Sequence, residues 1–175
     1  MRRLVFSFGI VVLLAGMLAG QSAEWKTHSN AEGNFTVQFP GDPKDTVNPT
    51  DSSMKSHILQ VQQSPVLYMV VWSFIDKEQS TDNKNYEDFK SGVFSKLPSC
   101  TVENEQAASP AFRQYVGRGY LLSCDYPKGK VKIKGNLYWG KHYSYALMTA
   151  FPANITESAE IKKFMESFTV LDPAK

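Results

Sequence analysis

The segment Val66-Leu67-Tyr68-Met69-Val70-Val71-Trp72-Ser73-Phe74-Ile75 constrains the fold more than any other, because it is apolar at odd and even positions alike. A strand with one wet face alternates apolar and polar residues, whereas one buried on both faces reads as a continuous apolar run. This segment therefore belongs in the middle of a sheet with both faces covered, and helices are the expected cover on each side. Ser64-Pro65 separates it from a further strand over residues 54–63.

The other elements follow from periodicity. Phe35-Thr36-Val37-Gln38-Phe39 alternates and stops at Pro40-Gly41-Asp42-Pro43, which places Phe35, Val37 and Phe39 on a core face. Residues 44–53 are polar and read as a loop. Tyr86, Phe89, Val93, Phe94 and Leu97 recur at spacings of three and four, predicting a helix over 83–97 that Pro98 stops. A short edge strand is expected over 101–105. Residues 112–151 read as a three-stranded meander, with Tyr120, Leu122, Cys124 and Tyr126 on one parity, then Val131, Ile133, Leu137 and Trp139 opposite Lys130, Lys132 and Lys134. A three-residue loop over 140–142, pairing Trp139 with Tyr143, keeps the large apolar groups on one face. Ile161, Phe164, Met165 and Phe168 mark a helix over 157–167 with Thr156 as its N-cap, and 169–171 form a closing strand. The expected fold class is α+β, a mainly antiparallel sheet with helices on both faces in an α/β/α sandwich. Phe89, Phe94, Phe164 and Phe168 should all be buried in it.

The chain starts with Met1-Arg2-Arg3, an apolar run over 4–20 and the small, polar Gly20-Gln21-Ser22-Ala23, the layout of a secretory signal peptide. Residues 1–23 are read as that signal and 24–175 as a single domain of ordinary size. The competing reading is a membrane anchor, for which about 17 to 25 apolar residues are needed; Gly9, Gly16 and Gly20 speak against a long helix, and cleavage leaves no stable membrane insertion. Gln21 stands where a lipoprotein would carry cysteine. The protein is expected to be exported, to a periplasm or beyond. The chain has 19 basic and 17 acidic residues, so losing Arg2 and Arg3 leaves a balance of zero. Nucleic-acid binding, which wants a strongly basic domain, is disfavoured.

Cys100 and Cys124 are an even pair in a chain read as exported, which favours a disulfide. Loop-closure entropy makes such a bond worth roughly 3.5 kcal/mol. The alternative is two small buried thiols. His28, His57 and His142 stand in no metal-ligand spacing, and no serine elbow or phosphate-cradling loop occurs, so neither metal nor cofactor is expected. Lys130, Lys132 and Lys134 at period two, with Tyr138 at one end and Arg118 on the neighbouring strand, form a candidate surface for an anionic partner, either an acidic protein or an anionic envelope component. The same pattern suits a solvated strand face. The aromatic turn over 138–143 is a second candidate.

The stretch Gly33-Asn34-Phe35-Thr36-Val37-Gln38-Phe39-Pro40-Gly41-Asp42-Pro43, the central helix, the meander and the closing Phe164-Met165-Glu166-Ser167-Phe168 resemble PsbP-like exported bacterial domains over residues 25–171. The resemblance implies an α/β/α sandwich that acts by binding a protein partner rather than by catalysis. The chain departs from it where a Pro-x-x-Trp is replaced by Pro40-Gly41-Asp42-Pro43. Two classes of function follow: a non-catalytic binding or accessory domain of the cell envelope, or an exported enzyme such as a hydrolase whose site is assembled only in three dimensions. A deep pocket with converging ionisable groups would favour the enzyme, and a shallow apolar surface the binding domain.

Overall fold

A computed structural model describes residues 24–48, 54–97, 99–127 and 129–171. The expected signal segment 1–23 lies outside the described residues, as do the second half of the polar loop, Pro98 and Lys128. Among the described residues the chain forms β1 (Trp25–Asn30), β2 (Phe35–Pro40), β3 (Lys44–Asn48), β4 (Met54–Gln63), β5 (Val66–Ile75), α1 (Asn83–Phe94), β6 (Cys100–Ala107), β7 (Val116–Tyr126), β8 (Gly129–Trp139), β9 (Tyr143–Pro152), α2 (Ala159–Ser167) and β10 (Thr169–Val170). Strand β5 is central, as its two-sided apolar character requires. It sits in an antiparallel seven-stranded sheet of order β3-β4-β5-β9-β8-β7-β6. A second sheet, β1-β2-β10, is also antiparallel.

The expected α/β/α sandwich with helices on both faces does not form. Of the described residues, strands hold 55% and the two short helices 15%, too little helix to cover a seven-stranded sheet. One face is instead covered by the small sheet with α2 beside it: Phe35, Val37 and Phe39 of β2 meet Tyr68, Val70 and Trp72 of β5, and Ile161, Phe164, Met165 and Phe168 complete this layer. On the other face a second cluster gathers Met69, Val71, Tyr120, Leu122, Ile133, Leu137 and Met148 against Tyr86 and Leu97. Phe164 and Phe168 are fully buried, but Phe89 and Phe94 are only half-buried, because α1 has one face against the sheet and nothing beyond it.

Three local expectations also change. Residues 44–48 are not loop but β3, paired with β4 through Thr46↔Ile58; an edge strand with solvated side chains shows no alternation to read. β1 was not legible for the same reason. The β8–β9 connection pairs Trp139 with Ser144 and Leu137 with Ala146 rather than Trp139 with Tyr143. Tyr145 and Leu147 thus face the small sheet while Trp139 and Leu137 face α1, which is possible because β9, like β5, is buried on both sides. Finally, Ser158 rather than Thr156 caps α2, its Oγ accepting from the Ile161 N–H at 3.4 Å.

The β1–β2 connection brings backbone close to the core. Asn30 Oδ1 accepts from the Gly33 N–H at 2.6 Å, and Tyr145 donates its hydroxyl proton to the Gly33 carbonyl at 2.9 Å. A Cβ on Gly33 would lie 2.6 Å from Phe35 and 2.9 Å from Trp72, both ring atoms of packed aromatics. Gly33→Ala is therefore expected to destabilise the domain by about 1 to 3 kcal/mol through overpacking, read as a lower urea midpoint at unchanged m.

Buried phenols make the fold sensitive to alkali. Desolvation raises Tyr68 and Tyr120 from 10.0 to about 12 and raises Tyr86, Tyr138 and Tyr145 as well. The folded chain keeps protons that the unfolded chain releases near pH 10, so this stability is fully present below about pH 10 and is lost as pH rises through the folded values. Thermal midpoints measured across the alkaline range should fall steeply above about pH 10, with tyrosinate absorbance rising in step with unfolding.

Candidate functional site

Strand parity divides the basic candidates. Along β8, Lys130, Lys132 and Lys134 share the face of Tyr138, the side of the small sheet, whereas Arg118 on β7 shares parity with Tyr120 and points to the α1 side. Each lysine meets an acid: Lys130 with Asp125 at 3.4 Å, Lys132 with Glu103 at 3.4 Å and Lys134 with Glu157 at 2.6 Å. Arg118 stands 4.0 Å from Glu105. Tyr138 is no surface residue; it is fully buried, donates to the Pro110 carbonyl at 2.9 Å and accepts from Asn136 Nδ2 at 3.2 Å. The structure thus brings the three lysines together and leaves Arg118 and Tyr138 out of their surface. Partly exposed ion pairs contribute little to stability, but here they cancel the charge that an anionic partner would seek.

The aromatic turn is packing. Trp139 donates to the Ser80 carbonyl at 2.9 Å and lies on Phe89 with ring centroids 5.3 Å apart, and His142 lies against Phe74. The histidines do not converge: His57 stacks on Trp72 at 4.2 Å, with Nδ1 3.6 Å from Asp45, His142 contacts the Ile75 carbonyl, and His28 lies against Phe39. Among the described residues no group of three or more His, Cys, Asp or Glu side chains could hold a metal ion, and no helix is long and apolar enough to cross a membrane. One partly buried cluster of ionisable groups joins Tyr86, Tyr120 and Glu105. The two hydroxyls are 2.9 Å apart, and Tyr120 donates to Glu105 at 3.2 Å. Burial raises both phenols, so they stay protonated and serve as an internal hydrogen-bonded tie.

Cys100 and Cys124 are joined. They stand directly opposite one another on β6 and β7, with Cα atoms 4.0 Å apart, which sets aside the reading as two thiols.

The most apolar concavity among the described residues lies on the α1 side of the sheet. Phe94 packs on Tyr120 at 5.0 Å and Phe89 on Trp139, so α1 sits over β7 and β8 and leaves the Leu67–Met69 stretch of β5 and the Met148–Ala150 stretch of β9 without a helix above them. An open groove results, floored by Leu67 and Met69 of β5, Met148 and Ala150 of β9, and Val131 and Ile133 of β8, with Leu97 and Tyr126 as flanks. Met148 also lines a slot beneath α1, between Phe89, Gly92, Val93 and Lys96 above and Val71, Ser73, Ser144 and Ala146 below. The slot exists because Gly92, Ser73, Ser144 and Ala146 are too small to fill the layer between helix and sheet. From Leu67 to Ser73 the combined trough runs along β5 for roughly 20 Å at the usual strand rise. Sequence reasoning missed it. The available signal was an imbalance: both parities of β5 and β9 need cover, while the first helix offers few large side chains and a glycine.

No protein-family model matches the chain, and a search of curated proteins finds no match to it.

Proposed function

We propose that the protein is an exported, non-catalytic binding domain that holds an apolar ligand in the trough between α1 and the β5–β9 pair. The observation that carries this reading is the lining. The main groove is walled almost entirely by aliphatic, methionine and aromatic side chains and, among the described residues, holds no converging ionisable groups, the kind of lining that small-molecule sites share. Two methionines on the floor suit such a surface, since an unbranched thioether adapts to the shape of its occupant. The disulfide supports export, because such bonds persist in oxidising compartments. The resemblance to PsbP-like domains also favours binding over catalysis. We assign no role in the trough to Lys130, Lys132 and Lys134, which lie on the opposite face of the sheet.

The test is a titration of purified, delipidated protein with 1-anilinonaphthalene-8-sulfonate, comparing wild type with Ala150→Trp. Ala150 is half-buried at the groove floor, so an indole there fills the space. Wild type should give a saturable fluorescence gain, and the variant at least a tenfold weaker one at a melting temperature within a few degrees of wild type. A signal unchanged by Ala150→Trp would show that the trough is not the site.

A further inference from the structure

Among the described residues Lys96 is the only charged side chain lining either part of the trough, and no carboxylate borders it. It lies just past the end of α1, is partly exposed, and makes no ion pair among the described residues. Lys44, Lys77, Arg113 and Lys163 likewise meet no acid among the described residues, so it is the position of Lys96 beside an apolar groove that is informative. An ammonium on a flexible stem can cover apolar surface while its head meets an anion at the rim. The shape narrows the occupant further. Half of a bilayer's apolar core is roughly 15 Å deep, the reach of one lipid chain, and the trough of roughly 20 Å accommodates that chain and a head group.

Building on the binding function above, we propose that the trough takes a single-chain anionic amphiphile of the long-chain carboxylate class. Its chain lies along Leu67, Met69 and Met148, and its carboxylate is held by Lys96. The serines Ser73 and Ser144, buried at the far end of the slot, offer the only other polar side chains in that part of the trough.

Displacement of the neutral probe N-phenyl-1-naphthylamine by dodecanoate and by dodecanol, below their aggregation limits, tests this in wild type, Lys96→Met and Lys96→Arg. Wild type should bind dodecanoate about tenfold more tightly than dodecanol, the size expected for a charge-assisted contact. Lys96→Met should bring the two affinities together by weakening dodecanoate alone, and Lys96→Arg should keep the preference. Equal affinities in wild type, or a preference that survives Lys96→Met, would overturn the carboxylate assignment while leaving the apolar site standing. Failure of both ligands and of the probe to bind would overturn both readings, and sedimentation of that protein as a dimer would assign the trough to a second copy of the chain.

Discussion

Phe168→Ala is expected to destabilise the domain by about 3 to 5 kcal/mol, the usual cost of deleting a buried aromatic side chain. Phe168 is fully buried, and its ring lies 5.3 to 5.9 Å from the rings of Phe35, Phe112, Tyr138 and Tyr145. Those partners belong to the small sheet, to the 108–115 connection and to β8 and β9, so one truncation opens a cavity where three parts of the structure meet. For a domain of this size the melting temperature should drop by about 10 °C. Phe89→Ala, at a half-buried position on α1, should cost only about 1 to 2 kcal/mol. Equal losses in calorimetry would mean that the layer between the sheets is not the principal core.

Removing the disulfide by the pair Cys100→Ala and Cys124→Ala should cost about 3.5 kcal/mol if loop-closure entropy dominates, within the usual span of 2 to 5. The effect should also be local. β6 is the last strand on its side of the sheet and its side chains are almost all exposed. A bulge between Val102 and Asn104 further interrupts its ladder with β7. Little apolar burial holds it, so the covalent bond to the fully buried Cys124 is its main tether. Hydrogen exchange in the double variant should accelerate most at β6 amides, beyond the rise that the lost global stability brings to β5 and β9. An acceleration no greater at β6 than at β5 and β9 would mean that the bond is not the tether of β6.

The parts of this fold that could be read from residues were those that bury them. β2, α1, β7 and α2 each carry a periodic apolar set and β5 an unbroken one, and the Cys100–Cys124 bond followed from an even cysteine count in a chain read as exported. β1 and β3 were invisible because their side chains are mostly solvated and only their backbones pair. The class of fold went wrong at one inference, that a strand buried on both faces needs helices on both faces. Here β2, with an alternation that looks like any edge of a main sheet, leaves that sheet and serves as cover for it. The candidate basic surface failed on parity. Arg118 pairs with Leu137 and Tyr138 with Gly117, so register decides which of them can meet the lysines, and register is not written in composition. The trough was hidden for a related reason: it consists of what α1 does not reach.

The small sheet ties the two ends of the domain together, and this has a consequence during synthesis. β2 is completed by β10 through Thr36↔Thr169 and Val170↔Phe35, and the Leu171 N–H donates to the Asn34 carbonyl at 2.9 Å. A nascent chain that has not yet emitted residues 159–171 has Phe35, Phe39 and Tyr68 without the rings that bury them. Because non-local pairing must wait for both partners, the domain cannot close before residues 159–171 have emerged. Ribosome-bound fragments ending before α2 should remain protease-sensitive throughout.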